Sequence, residues 1–211
     1  MLFDADQVRR AVKTAAAKLD EEKQMLNKLD AAIGDGDHGR SISRAFGGMA
    51  EKLDEMETED IGELLKEIGK QIVFSSGAAA GPLYGTGIME AGKKVAGKEE
   101  INLKDLARMF AAAEDGVKKR GRGEVGEKTM LDTLDSARIA LESAVEEGLG
   151  DEAAVKELIQ AAREGRDSTK EMVSERGRSS RLGERTKGHV DPGAASTCMI
   201  IEAMFNSCNR S

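Results

Sequence analysis

The stretch "LARMFAAAEDGV", residues 106–117, decides the fold class of this 211-residue chain. Its apolar side chains recur at intervals of three and four residues, which places them on one face of an α-helix. A similar stripe lies near the N-terminus. The two stripes consist of Leu106, Met109, Phe110, Ala113 and Val117, and of Val8, Val12, Ala15 and Leu19. Because the chain has only two prolines and few aromatic residues, its composition also favours helix over strand, and we predict an all-α protein.

Glycine clusters and charged turns divide the chain into about eight amphipathic helices. The predicted ranges are 5–29, 39–56, 60–76, 80–96, 103–120, 128–147, 151–175 and 192–208. Short connections favour antiparallel neighbours, so the simplest architecture is an up-and-down bundle or a closed barrel of helices. No linker-like segment interrupts the pattern, and residues 1–211 are expected to form one domain.

In an up-and-down order, the first, third, fifth and seventh connections lie at the same end of the molecule. We call it the glycine-rich end, because these connections hold 14 of the 24 glycines as well as both histidines, His38 and His189. Each connection leads into a helix N-terminus, where unpaired N–H groups and the positive end of the helix dipole attract anions. We therefore expect the functional site at the glycine-rich end.

The net charge of −7 argues against nucleic acid or an anionic membrane as a partner, because long-range electrostatics would repel both. The sequence has no run of about 18 apolar residues and no signal segment at its start, which predicts a cytoplasmic protein. Cys198 and Cys208 are too far apart for a zinc knuckle or a redox pair, and we expect them to be core residues in a reducing compartment.

The first connection, "GDGDHG" at residues 34–39, carries two aspartates close to a third, Asp30. Three carboxylates within eight residues repel one another unless a cation joins them, and their oxygen atoms suit Mg²⁺ or Ca²⁺. An EF-hand is excluded, since Phe46 stands where the loop needs a glutamate. A dinucleotide loop is excluded because the glycines follow a helix rather than a strand. A solvated turn with an aspartate N-cap remains the alternative.

The third and fifth connections are weaker signals. The small residues of "SSGAAAGPLYGTG" (75–87) would let a phosphate or a flat apolar group approach the backbone, or would allow a kink or a tight helix contact at Pro82. The segment "GEVGEKTM" (123–130) is not a P-loop, and Thr129 is equally well explained as an N-cap.

The seventh connection, residues 176–189, carries a local charge of +4 in an acidic chain. Arginine side chains hold phosphate groups bidentately, although a solvated basic loop is the alternative. Asp191 and Pro192 then begin a new helix. Acidic groups for a cation and basic groups for phosphate at one end suit a metal-bridged nucleotide, and phosphoryl transfer on such a ligand needs no protein nucleophile.

Four motifs in order and spacing resemble the nucleotide-binding L subunits of bacterial dihydroxyacetone kinases. They are "LDAAIGDGDHG" (29–39), "SGAAAGPLYGT" (76–86), "GEKTMLD" (126–132) and "LGERTKGHVDPGA" (182–194). The resemblance spans nearly the whole chain and implies an eight-helix antiparallel barrel. It further implies that Asp30, Asp35 and Asp37 hold two Mg²⁺ ions that bridge the diphosphate of ADP or ATP.

The resemblance also implies a set of nucleotide contacts. Those at the phosphates are His38, Gly39, Arg40 and Ser41, and those that line or complete the nucleotide pocket are Ala79, Ala80, Gly121, Met130, Arg178, Asp191, Pro192 and Gly193. The chain departs from the usual pattern at two of them. Ala80 stands where serine is frequent, and Ser41 stands where asparagine is frequent.

The function implied is that of a phosphotransferase subunit. Bound ADP would accept a phosphoryl group from a phosphohistidine M-type subunit and pass it to dihydroxyacetone held on a K subunit, and a homodimer is a further partner to consider. Three alternatives remain open: an ATP-dependent subunit acting on another small hydroxyketone or aldose, a stand-alone Mg-dependent phosphohydrolase, and a helical binding module without chemistry.

Overall fold

The structure, a computed structural model, describes residues 3–76 and 80–208, and these ranges are mostly helical. They contain α1 (Ala5–Glu21), α2 (Lys23–Ile33), α3 (His38–Ala50), α4 (Ile61–Ser75), α5 (Ala80–Lys93), α6 (Leu103–Gly121), α7 (Met130–Glu146), α8 (Asp151–Ser168) and α9 (Pro192–Cys208). Short 3-10 segments follow α3 and α8 and occupy Ser179–Thr186. The predicted all-α class is confirmed.

The helices form a closed ring. From α3 to α9 each helix contacts the next one along the chain, and α1 contacts both α3 and α9. The apolar stripes of the helices meet in a continuous core, in which Leu19, Phe46 and Leu158 are buried. The ring therefore agrees with the barrel expected from the short connections.

A small β-ladder lies beside the barrel. The strands β1 (Phe3–Asp4) and β2 (Glu100–Ile101) pair antiparallel, with Phe3 opposite Ile101. The ladder links the chain just before α1 to the chain just before α6. Two residues are too few to carry a period-two pattern, so the sequence contained no signal for it.

Three of the predicted helices differ from the structure by a break or by more than three residues at one end. The first is two helices, α1 and α2, with a break at Glu22, where neither glycine nor proline marks it. The second and seventh end earlier than expected, at Ala50 and Ser168, and each continues as a short 3-10 segment. Because the last turn of an α-helix and a 3-10 turn accept similar residues, apolar spacing alone does not distinguish them.

The glycines of the third connection belong mainly to a helix contact. Gly85 lies inside α5 and faces Gly69 of α4, so that a Cβ on Gly85 would lie 2.5 Å from the Gly69 carbonyl oxygen. Pro82 lies in the first turn of α5, where its missing N–H is tolerated. The tight helix contact offered as an alternative is therefore confirmed, and no kink occurs within α5 as described. Gly77 and Ala79 lie outside the described residues.

Within the described ranges, no helix combines the length and apolar character needed to cross a membrane. Cys198 is buried and is a free cysteine rather than part of a disulfide, as expected for a core residue. The side chain of Cys208 lies outside what the structure describes.

Candidate functional site

A cavity of about 610 Å³ opens at the glycine-rich end of the barrel. All four odd-numbered connections, with the helix termini they join, contribute to its wall. The predicted site residues that line it are Asp30, Asp35, Asp37, His38, Ser41, Ala80, Gly121, Met130, Arg178, Asp191, Pro192 and Gly193. Residues from near both ends of the chain thus meet at one site.

Three carboxylates form the acidic wall of this cavity. One oxygen atom of each of Asp30, Asp35 and Asp37 lies within 4.8 Å of the others. Asp30 belongs to the last turn of α2, and its Oδ2 accepts hydrogen bonds from the backbone N–H groups of Asp37 (2.9 Å) and His38 (3.1 Å). Converging hard oxygen donors of this kind fit Mg²⁺ or Ca²⁺.

The hydrogen bonds at the start of α3 bear on the alternative interpretation of the aspartates, a turn with an aspartate N-cap. Asp37 occupies the N-cap position but makes no side-chain capping bond. Asp30 of the preceding helix supplies the capping carboxylate instead. The loop also requires its glycines: Gly36 has a φ of +78°, and a side chain on Gly34 would collide with the Asp30 carboxylate. The side chains of Asp35 and Asp37 therefore take no part in capping α3 and line the cavity.

Arg178 reaches this acidic wall from the seventh connection. Its guanidinium contacts the Asp35 carboxylate and lies 3.8 Å from Oδ2 of Asp37. The arginine offsets the negative charge that the aspartates share. A divalent cation bound to the same carboxylates would compete with this ion pair, which would free the guanidinium for an anionic group of a ligand.

The N-terminus of α3 faces the acidic wall. His38 is the first residue of the helix, and its Nε2 lies 2.8 Å from Oγ of Ser196. Burial lowers the pKa of the imidazole, and the Asp30 carboxylate opposes that effect. Gly39 and Arg40, which follow His38 and were predicted as phosphate contacts, do not line the cavity. Gly39 packs against the backbone of Lys23. Arg40 is exposed, and its backbone N–H donates to Asn27 Oδ1 (3.1 Å).

The opposite wall is largely apolar. Leu83 of α5, Val117 of α6 and Leu131 of α7 line it, together with the predicted Gly121 and Met130. Met130 begins α7 after Thr129, which caps the helix in a capping box with Asp132. The N-cap interpretation of Thr129 is thus confirmed. An apolar wall opposite a charged one suits a ligand with a flat ring at one end and charged groups at the other.

Asp191, Pro192 and Gly193 form the third side, at the start of α9. The Asp191 carboxylate is buried and accepts a hydrogen bond from the N–H of Ala194 (2.8 Å). Burial raises its pKa to about 7, although that hydrogen bond and the charge of Lys128 act in the opposite direction. A side chain on Gly193 would approach the same carboxylate to 2.9 Å, which explains the glycine at this position.

Lys128 is a buried residue that the sequence did not single out as functional. Its backbone has a φ of +59°, and its Nζ donates to the carbonyl oxygens of Thr169 and His189, the latter at 2.5 Å. Burial lowers the pKa of this amine. Lys128 therefore joins the fifth connection to the seventh. No local sequence pattern could have predicted these contacts, because the carbonyl groups that accept from Lys128 are 41 and 61 residues away in the chain.

The basic seventh connection is partly neutralised by its neighbours. Arg176 makes a two-pronged ion pair with Glu127 (2.6 and 2.8 Å), and Lys187 pairs with Glu184. Arg181 and Arg185 are exposed. Arg176 thus links the fifth and seventh connections, and Arg178 is the cation of this segment that contacts the carboxylates.

Comparisons with known proteins agree with this architecture. A scan against protein-family models matches residues 32–206 to Dak2, the DAK2 domain. The chain belongs to the DAK2 domain family. Among its curated relatives, the ADP-binding subunit DhaL of PEP-dependent dihydroxyacetone kinase 1 from Listeria innocua is 36% identical over 207 residues, or 98% of each chain. The DhaL subunit of Escherichia coli is 37% identical over 183 residues, or 87% of each chain.

The DAK2 domain fold is also found in solved structures. The crystal structure of the dihydroxyacetone kinase of C. freundii superposes with a TM-score of 0.72 and 24% sequence identity. The superposition covers 97% of this chain and 35% of the larger kinase chain. A second crystal structure of that kinase contains AMP-PNP and Mg²⁺. The likeness confirms the barrel fold predicted from the sequence.

Proposed function

We propose that this DAK2 domain protein is the ADP-binding subunit of a dihydroxyacetone kinase. The observation that carries the proposal is the meeting of Asp30, Asp35 and Asp37 with the N-terminus of α3 in one cavity, opposite an apolar wall. Relatives that match it over nearly their whole length carry the names of ADP-binding subunits of PEP-dependent dihydroxyacetone kinases.

The three aspartates are the residues that would hold divalent cations, two Mg²⁺ ions on this proposal. Arg178 would exchange its ion pair with Asp35 for a phosphate group. His38 and Ser41, which line the cavity, would receive phosphate oxygens at the positive end of α3, whereas Gly39 and Arg40 would support that turn without lining the cavity. The nucleoside would lie against the wall formed by Ala80, Gly121 and Met130. Asp191, Pro192 and Gly193 would enclose it.

Bound Mg-ADP would supply the acceptor for a phosphoryl group from the phosphohistidine of an M-type subunit and, as the triphosphate, the donor of that group to a hydroxyl of dihydroxyacetone on a K subunit. The protein contributes position and charge rather than a nucleophile. Arg178 and the positive end of the α3 dipole would offset negative charge on the transferred group. The buried cap of Asp191 and the Lys128 contacts hold the loops around the cavity in place.

The first test asks whether the protein keeps a nucleotide and a metal through purification. Protein prepared without added nucleotide should release ADP on acid denaturation, detected by anion-exchange chromatography, and magnesium, detected by elemental analysis. Asp35→Ala and Asp37→Ala should remove both. Asp54→Ala is the matched control, because Asp54 is exposed and pairs only with Lys13 in the described structure. A nucleotide-free, metal-free protein that still supports phosphoryl transfer would refute the proposal.

The names of other relatives favour a second candidate, an ATP-dependent subunit for another small ketose or aldose. The L-erythrulose kinase of Pectobacterium atrosepticum is 29% identical over 181 residues, but this chain spans 31% of that protein. Reconstitution with a K subunit, comparing ATP with the phosphorylated M-type donor, separates the two candidates. Faster turnover with ATP would support the second one. Steady release of phosphate from a phosphoester without any partner would instead indicate a phosphohydrolase.

A further inference from the structure

A chain of buried hydroxyl groups lies directly behind His38. Oγ of Ser196 is 2.8 Å from Nε2 of His38 and 2.7 Å from the hydroxyl of Tyr84. Ser196 lies in the first turns of α9, Tyr84 lies in α5, and both are buried. Three helices that are remote in sequence therefore meet at one imidazole nitrogen.

The surroundings fix Ser196 and Tyr84 in place. Oγ of Ser196 also lies within hydrogen-bond distance of the carbonyl oxygens of Pro192 (3.0 Å) and Gly193 (3.1 Å). The hydroxyl of Tyr84 lies 2.8 Å from Oγ1 of Thr197 and 3.1 Å from the carbonyl oxygen of Gly193. Buried polar groups held by several partners have little freedom to reorient, and the loss of one partner is costly.

The two nitrogen atoms of the imidazole have different surroundings. Nε2 is bonded to Ser196, and within residues 3–76 and 80–208 no hydrogen bond to Nδ1 is found. His38 lines the cavity next to the carboxylates. If the ligand at this place is a phosphate, Nδ1 must donate to it, because phosphate oxygens are acceptors.

The hydroxyl protons can be arranged to meet this requirement. Tyr84 donates to Oγ of Ser196, Ser196 donates to Nε2, and the imidazole proton then resides on Nδ1. Thr197 donates in turn to the hydroxyl of Tyr84 at 2.8 Å, so that each contact of the chain holds one proton. Successive donors that point the same way reinforce one another.

We propose that Ser196, supported by Tyr84, is a positioning residue that donates to Nε2 of His38 and so directs Nδ1–H toward a phosphate oxygen of the bound nucleotide. This inference rests on the proposed function, since it presupposes the nucleotide. The hydrogen bond from Ser196 selects both the orientation and the tautomer of the ring, as is common where a histidine must present one chosen nitrogen.

The direct test is the tautomer of His38 in the intact protein saturated with Mg-ADP. Long-range ¹⁵N–¹H correlation spectra distinguish Nδ1–H from Nε2–H imidazoles, and the chain has only two histidines, so that His189→Asn assigns the signals. We expect the Nδ1–H pattern for His38. An Nε2–H pattern, or a doubly protonated ring, would overturn the proposal, because Ser196 would then be the acceptor.

Variants supply a second measurement. Ser196→Ala should weaken Mg-ADP binding about tenfold in titration calorimetry and leave His38 as a mixture of tautomers, because Nε2 loses its donor. Tyr84→Phe should have a smaller effect in the same direction. Thr197→Val is the matched control: it removes a hydroxyl that contacts Tyr84 but not His38, and it should leave the His38 spectrum unchanged.

The outcomes separate this inference from the proposed function. If the wild-type protein does not bind Mg-ADP, the proposed function fails. The other case is that the wild type binds Mg-ADP, and that Ser196→Ala binds it within twofold of the wild-type affinity and keeps the wild-type imidazole spectrum. The positioning role of Ser196 is then refuted, while the proposed function stands.

Discussion

Asp191 illustrates how a single buried carboxylate couples the site to the stability of the protein. Its side chain caps α9 through the N–H of Ala194 while lying in a buried environment near Lys128. Burial raises the pKa of the carboxyl group to about 7, far above its value of 3.8 in an unfolded chain. The folded protein therefore holds a proton on Asp191 over a pH range in which the unfolded chain has lost it.

This difference predicts a pH dependence of stability. Because the folded pKa is raised, the contribution of the group is fully present below pH 4 and is lost as the pH rises toward 7. Between these two pKa values the folded protein binds one more proton than the unfolded chain. The free energy of unfolding therefore falls by about 1.4 kcal/mol for each unit by which the pH rises. Urea titrations of metal-free, nucleotide-free protein between pH 4.5 and 6.5 measure this slope.

Asp191→Asn is the comparison, because the amide oxygen still caps α9 but cannot titrate. The wild type should lose stability relative to this variant as the pH rises, while other groups affect both proteins alike. Parallel stability curves for the two proteins would show that the pKa of Asp191 is not raised.

At the scale of elements, the sequence predicted the helices better than the roles of their glycines. Apolar spacing identified α3 to α9, since a helix that is buried on one side carries an apolar residue on that side in every turn. The sequence pattern did not predict the break between α1 and α2, because Glu22, which lies at the break, is an ordinary helix former. Gly85 belongs to the segment whose small residues suggested a ligand contact, but it packs against Gly69 of α4, and no local pattern identifies a partner on another helix.

The contact between α4 and α5 predicts opposite effects for two helical glycines. Gly85→Ala should destabilise the protein by about 2 kcal/mol or more, because its Cβ would meet the Gly69 carbonyl oxygen and a methyl group of Val73. Gly47→Ala in α3 should stabilise it by about 0.5–1 kcal/mol, because nothing lies within 4 Å of the added Cβ and alanine is the better helix former. Chemical denaturation measures both, and destabilisation by Gly47→Ala of the same size would contradict the packing argument.

At the scale of the whole molecule, the cavity joins both halves of the chain. Its wall includes Asp30 near the beginning and Gly193 near the end, and the ring closes where α9 meets α1. A ligand that bridges these walls stabilises the folded barrel by mass action, because the unfolded chain has no such site.

Removal of the metal should therefore release the nucleotide and lower the melting temperature. A ligand present at about 100 times its Kd contributes about 2.7 kcal/mol, which corresponds to roughly 5–10 °C for a domain of this size. Scanning fluorimetry with and without excess EDTA measures the shift, and gel filtration shows whether ADP leaves. Asp35→Ala should melt at the same temperature in both conditions. Retention of ADP in EDTA would show that the carboxylates do not hold the nucleotide through a metal.

The sequence by itself determined the helical class and the cluster of three aspartates, because each depends on spacing within short segments, and it determined the glycine-rich end, because short connections fix the order of the helices. Only the tertiary structure decided that Asp30 caps α3, that Lys128 joins two loops, and that Ser196 and Tyr84 stand behind His38. The contacts of Lys128, Ser196 and Tyr84 depend on distances between segments far apart in the chain, which closure of the ring sets, whereas the Asp30 cap depends on the conformation of the loop between α2 and α3. A local motif records which groups are available, whereas the fold determines which of them meet.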